Sequence, residues 1–202
     1  ENDNFASFAN SLDFIGEKYG FALKKCEWIS LGGGIYFTKD GYQFGKFSQK
    51  LKDFSRRFGL QVYLEPGESA ITNCSELVCS VIDIVKNKMN IAIVDTSTEA
   101  HMLDLLIYRL SAKIASPRIG GKNRYMIAGR SCLAGDIFGT YKFMEKLKVG
   151  DEIRFADTAG YTMVKKNWFN GLPMPSIVVK RLNGDLQIVK TFSYSNFKNA
   201  LG

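Results

Sequence analysis

The chain has 202 residues, 46% hydrophobic and 23% charged, which excludes a disordered segment and supplies apolar material for one large or two small cores. Its net charge of +7 is scattered in pairs such as Lys24-Lys25, Arg56-Arg57 and Lys165-Lys166, with no interleaved aromatics, and reads as solvated surface rather than a nucleic-acid face. No apolar run approaches the roughly 18 to 20 residues of a bilayer span. The opening Glu1-Asn2-Asp3-Asn4 is acidic where a signal peptide is basic and then apolar, so the expectation is a soluble, cytoplasmic protein without a membrane partner. The chain starts without Met, directly before a helical pattern, and is expected to be part of a longer polypeptide. Cys26, Cys74, Cys79 and Cys132 show no CxxC pairing and meet a single histidine, which argues for reduced thiols and against a metal site.

Apolar residues at Phe5, Phe8, Leu12, Ile15 and Tyr19 recur at helical spacing, and Gly20 stands where a helix cap would fall. Trp28-Ile29-Ser30-Leu31 reads as a buried strand running into Gly32-Gly33-Gly34. A second helix presents Phe44, Phe47, Leu51, Phe54 and Phe58, is closed by Gly59, and is followed by a strand at 60–64. Helix, strand, helix, strand is the order of a parallel βα barrel or doubly wound sheet. Beyond about residue 70 the texture becomes mainly β, with strands expected at 77–85, 91–95, 125–128, 153–156, 177–182 and 186–192. Asn183-Gly184 is a hairpin turn, and Val149-Gly150-Asp151 is another turn signal. The expected domains are 1–72, an incomplete α/β portion, and 73–202, a β domain.

Three glycines at a strand end free the backbone to aim N–H groups at an anion, although a tight turn without ligand uses the same residues and the two readings stand even. About thirty residues on, as one βα repeat would place it, comes Leu64-Glu65-Pro66-Gly67-Glu68. Glu65 there suits a pyridoxal phosphate site, where a nearby anion keeps the ring nitrogen protonated. A surface loop carboxylate is the bland alternative.

The runs Leu31-Gly32-Gly33-Gly34, Tyr63-Leu64-Glu65-Pro66-Gly67-Glu68, 95–102 (Asp-Thr-Ser-Thr-Glu-Ala-His-Met), 131–136 (Ser-Cys-Leu-Ala-Gly-Asp), Gly160-Tyr161-Thr162 and Phe169-Asn170-Gly171 resemble the carboxynorspermidine decarboxylase family in order and spacing along nearly the whole chain. The wider superfamily, with ornithine and diaminopimelate decarboxylases, is similar in the triple glycine, Glu-Pro-Gly, the Cys with an Asp four residues on, and Tyr-Thr before Phe-Asn-Gly. Glu68 and the Glu-Ala-His-Met run distinguish the carboxynorspermidine branch, since relatives generally place arginine after Glu-Pro-Gly.

The resemblance implies the C-terminal part of a pyridoxal-phosphate-binding (β/α)8 barrel followed by a β domain. It implies decarboxylation of carboxynorspermidine or carboxyspermidine to norspermidine or spermidine, in a homodimer with shared sites. Gly32, Gly33 and Gly34 would cradle the cofactor phosphate, Tyr161 would hydrogen-bond to it, Glu65 would pair with the ring nitrogen, and Cys132 would return a proton to carbon. Glu68, Asp104, Asp136 and His101 would face the substrate, because two ammonium groups call for carboxylates. The lysine that binds the cofactor would lie before residue 1, leaving the segment alone inactive. Ile35-Tyr36 and Leu103 depart from the family pattern, as does Arg109-Leu110. A diaminopimelate-type enzyme and a non-catalytic protein-binding homologue are the alternatives. Each residue also has an ordinary role open to it: Cys132 as a small buried hydrophobe, Tyr161 as a packing residue on strand-like sequence, His101 as a cap, the acids as solvated loops.

Overall fold

The computed structural model describes residues 4–115 and 119–202; the acidic opening Glu1-Asn2-Asp3 lies outside them. It divides into two compact units, Glu1–Thr72 and Asn73–Gly202.

In the first unit, helix α1 (Phe5–Leu23) precedes strand β1 (Trp28–Ser30), helix α2 (Phe44–Phe58) and strand β2 (Gln61–Tyr63). The two strands pair in parallel, Trp28 opposite Gln61 and Ser30 opposite Tyr63. A parallel pair needs a crossover, and α2 supplies it. Phe47, Phe54 and Phe58 of α2 are buried with Phe8, Leu12 and Leu23 of α1, while the lysines and arginines of α2 take the solvent side. Gly59, at φ 68°, ends α2 in the left-handed conformation that a side chain resists. Gly20 does not end α1, which runs on to Leu23 and is capped at Lys24. Its role is packing: a Cβ at Gly16 or Gly20 would stand 3.3 or 3.2 Å from the Phe58 ring. The two glycines, one turn apart, form the seat of that ring. Tyr19, expected on the buried face, is exposed.

The second unit is built on a five-stranded sheet in the order β6-β5-β4-β3-β7. Its strands are β3 (Glu76–Asn87), β4 (Met89–Val94), β5 (Ile119–Ala128), β6 (Ile137–Phe143) and β7 (Glu152–Ala156). β4 and β5 are parallel and the remaining pairs antiparallel. β3 divides its length: 76–80 pair with β7 and 81–87 with β4, with a register shift at Val81/Asp83. Phe138 and Phe155, stacked 4.4 Å apart, centre a core that includes Val81, Val94, Ile127 and Ile153. Short helices α3 (Thr98–His101) and α4 (Asp104–Tyr108) follow β4, and α5 (Gly160–Lys165) follows β7. A hairpin of β8 (Ile177–Lys180) and β9 (Leu186–Lys190) and a last helix α6 (Tyr194–Ala200) complete the unit. Among the described residues no helix is long and apolar enough to cross a membrane.

Two expectations change here. Strand β6 falls where the sequence reading places no strand, and Gly139 serves it: a Cβ would stand within contact distance of the Tyr141 hydroxyl, which needs the space to share its proton between the Ala112 carbonyl (2.6 Å) and the Phe138 carbonyl (2.7 Å). Tyr161 sits on helix α5, not on a strand. Asp157, at φ 54°, turns the chain out of β7 and its carboxylate accepts from the Asn73 amide at 2.6 Å, so the ladder stops before the alternating Tyr-Thr-Met-Val can join it.

The ring seat yields a stability prediction. Phe58→Ala is expected to destabilise the protein by about 3 to 5 kcal/mol, read from the midpoint of urea unfolding, since a buried ring is lost and two glycines face a void. An unshifted midpoint would show the seat to be unimportant.

Candidate active site

In the first unit the ends of β1 and β2 stay joined beyond the strands: the Leu31 amide donates to Tyr63 (3.0 Å) and the Glu65 amide to Gly32 (2.9 Å). Each glycine has its own reason to lack a side chain. Gly32 and Gly34 have φ of 70° and 72°, in the left-handed region. Gly33 is crowded, because a Cβ would stand 2.7 Å from the Glu65 carbonyl oxygen. Gly33 and Gly34 are solvent-exposed, so the cradle is open.

The Glu65 side chain is anchored to this turn through Ser30, which sequence reasoning passed over as an ordinary strand residue. Ser30 Oγ donates to Glu65 Oε1 at 2.5 Å and accepts from the Gly32 amide at 3.2 Å. The loop after the glycines is stapled to a single 3-10 turn at Glu68–Ala70. Buried Ser69 donates to the Ile35 carbonyl (2.6 Å), Thr38 donates to the Ser69 carbonyl (3.1 Å), and the Thr38 and Thr72 hydroxyls meet at 2.6 Å. Ile35 is buried in the core of the unit. Glu68 opens the turn and is half-buried.

In the second unit the remaining residues fall into two groups. Cys132 is exposed on the loop between β5 and β6, and its amide donates to Asn170 Oδ1 at 2.9 Å. Asp136, at the end of the same loop, is buried. Its Oδ1 accepts from the Thr98 amide (2.7 Å) and hydroxyl (2.8 Å), and its Oδ2 from the Ser131 amide (2.9 Å). Gly129 leaves room for it, since a Cβ there would overlap the carboxylate. Burial opposes the charge, but the bonds from Ser131 and Thr98 outweigh it and hold the carboxyl below its usual range. Both oxygens thus accept bonds from within this chain.

His101 stands at the end of α3. It is 3% exposed, its Nδ1 lies 2.7 Å from the Thr96 hydroxyl and accepts from the Ser97 amide at 3.2 Å. Its Nε2 has no partner in hydrogen-bond geometry, although the Pro173 carbonyl favours a proton there. It braces the turn into α3, and Leu103 follows as the cap of α4. Asp104 and Tyr161 form the second group around Lys165, whose Nζ donates to Asp104 Oδ1 at 2.6 Å and lies 4.9 Å from the centre of the Tyr161 ring. The bond to Asp104 raises the Lys165 pKa. Among the described residues no group of three or more His, Cys, Asp or Glu could hold a metal ion.

Residues 62–159 match the family described as pyridoxal-dependent decarboxylase, C-terminal sheet domain. The chain has that match over 98 of its 202 residues. It is 47% identical, over its full length, to the carboxynorspermidine/carboxyspermidine decarboxylase of Herminiimonas arsenicoxydans and covers 54% of that protein. It is 39% identical to the Campylobacter jejuni protein of the same description over 92% of this chain and 52% of that one. The crystal structure of carboxynorspermidine decarboxylase complexed with norspermidine, from Campylobacter jejuni, superposes with a TM-score of 0.87 at 37% identity, covering 95% of this chain and 57% of that chain. The chain therefore spans about half the length of the curated relatives it matches. Decarboxylases of this family join a (β/α)8 barrel to a β domain, and the chain carries the later part of that fold.

Burial pushes the His101 pKa down from 6.5 to about 4, with Arg130 adding to the fall and the Pro173 carbonyl, Asp136 and Asp95 opposing it. A depressed pKa means the unfolded state binds the proton first, so the stability His101 contributes is complete above about pH 6.5 and is lost as pH falls through about 4. The loss across that window is expected to be on the order of 3 kcal/mol. Denaturant unfolding between pH 7 and pH 4 should show it, and His101→Asn should shrink the slope; equal slopes would mean that His101 does not drive the acid sensitivity.

Proposed function

We propose that the whole protein is a pyridoxal-phosphate-dependent decarboxylase that converts carboxynorspermidine or carboxyspermidine to norspermidine or spermidine. The observation that carries this reading is the apposition of the open glycine cradle to a carboxylate already oriented by Ser30. The cradle suits a phosphate: the Glu65 backbone excludes a side chain at Gly33, which lies with Gly34 on the exposed part of the turn. When bound, the cofactor supplies the electron sink for the pair left as the substrate's carboxylate departs.

The chain's own residues then have distinct tasks. Gly33 and Gly34 would bind the phosphate through backbone amides, with Gly32 shaping the turn while its own amide donates to Ser30, and Tyr161 would add its hydroxyl. Ser30 holds one oxygen of Glu65, leaving Oε2 to keep a proton on the ring nitrogen. Cys132 delivers a proton to carbon from Sγ, as an exposed thiol can. Glu68 receives a substrate ammonium in the position where diaminopimelate-type relatives use arginine for a carboxylate. That exchange of sign is the reason to prefer a polyamine over a second amino acid end. Asp104 can take the other ammonium by exchanging it for Lys165, its partner in this structure. The lysine that carries the cofactor lies in the portion the relatives have beyond this chain's span, so the segment alone would be inactive. A cytoplasmic homodimer with shared sites completes the proposal.

The test is to purify the complete protein and follow its visible absorbance as carboxyspermidine is added. A cofactor band that shifts, with release of carbon dioxide, is expected; a colourless protein that gains no band with added pyridoxal phosphate would refute the enzyme. Cys132→Ala is expected to cut turnover by roughly a hundredfold or more with cofactor content intact. Glu68→Arg should raise KM for carboxyspermidine at least tenfold, as loss of one charge-assisted contact and its reversal in sign predict. An unchanged KM would refute the role of Glu68.

A further inference from the structure

The Cys132 thiol is one torsion away from being fixed in space. Its Sγ hangs from a Cα whose flanking amides are both held: Cys132 N–H by Asn170 Oδ1 at 2.9 Å, and Leu133 N–H by Ser131 Oγ at 3.3 Å. With those two peptides held, only χ1 remains to aim the sulfur. Asn170 lies thirty-eight residues downstream and is itself locked. It sits at φ 56°, ψ 15°, a left-handed conformation that Asn tolerates better than most residues, and Gly171 follows at φ 64°.

The turn carrying Asn170 is fastened on two sides. Asn167 Oδ1 accepts from the Phe169 amide at 2.8 Å, its Nδ2 donates to the Glu99 carbonyl at 3.0 Å, and its own amide donates to the Ala100 carbonyl at 2.9 Å. Trp168 packs edge-on against Phe192 and Phe197, so the last helix backs the turn. Helix α3, which receives Asn167, begins at Thr98, and Thr98 is bonded to Asp136. The hydrogen bonds therefore close a circuit from Cys132 through Asn170, Asn167 and α3 to Asp136 and back to Ser131. A closed circuit resists displacement of any one member more than separate bonds would.

We propose that Asn170 is the positioning residue for Cys132: its side-chain carbonyl, held in a left-handed turn, fixes the cysteine backbone so that Sγ is presented for proton delivery. The proposal rests on Cys132 as proton donor. It predicts a change in turnover without a change in binding, because Asn170 acts on the thiol alone.

The test uses the complete protein with two substitutions. Asn170→Gly removes the acceptor but keeps a residue at ease in the left-handed region; Asn170→Asp restores an acceptor oxygen at the same place. Hydrogen exchange is read at the Cys132 amide, with β5 amides as a control for intact folding, beside kcat, KM and cofactor content. Asn170→Gly is expected to speed Cys132 exchange at least tenfold and lower kcat on the order of tenfold, with KM and cofactor content within twofold of the parent. Asn170→Asp should restore the slow exchange and most of the turnover. Slow Cys132 exchange in Asn170→Gly, a rise in KM that accounts for the lost activity, or a loss that Asn170→Asp fails to reverse would each overturn the proposal. Full turnover in Cys132→Ala would instead remove the proton-donor role, and with it the catalytic half of the proposal, while the exchange result still decides whether Asn170 holds the loop.

Discussion

The buried carboxylate of Asp136 is the constraint on which the chemistry-bearing part of the sheet domain depends. A carboxylate out of water is tolerated only when its oxygens are occupied, and here three donors from two separate segments occupy them. The loop between β5 and β6 and the start of α3 are thereby fixed to one another by one side chain. Gly129 is required beside it because the carboxylate fills the space of a side chain. The Cys132 loop is thus shaped from within, and its exposure to solvent does not imply looseness.

The first unit applies the opposite device. Its carboxylate, Glu65, is exposed and held by one serine, so an oxygen remains available for a partner. The parallel pairing of β1 and β2 is what brings that serine and that glutamate together, since Ser30 and Tyr63 are opposite in register and Glu65 follows two residues later. A change at the strand register would move the side chain to the other face of the sheet. The short strands matter less for the area they bury than for the alignment they impose.

The helices of the first unit and most strands of the second were legible from periodicity, because Phe47, Phe54 and Phe58 or Leu77, Cys79 and Val81 repeat at the spacing their elements require. The triple glycine and Glu65 were legible as neighbours through the length of one βα repeat. Gly20 misled because a glycine marks either a break or a close approach, and only the partner, Phe58, tells which. Asp136 and Lys165 show the same limit for charge. An acid in a loop sequence gives no sign that amides or a lysine sixty-one residues away have already claimed it. Ser30 was passed over and Asn170 stood only within a matched motif, because each matters for the group it orients, which lies far along the chain.

The divided pairing of β3 bears on how the sheet domain fails under stress. Since one continuous backbone serves as neighbour to β7 over its first half and to β4 over its second, a fray beginning at either end must cross the bulge at Val81/Asp83 before it can spread. The bulge lies beside Val81, among the most deeply packed residues of the core. Local opening at one edge is therefore arrested at the middle of the strand, and the two ladders part company only when the core itself gives way.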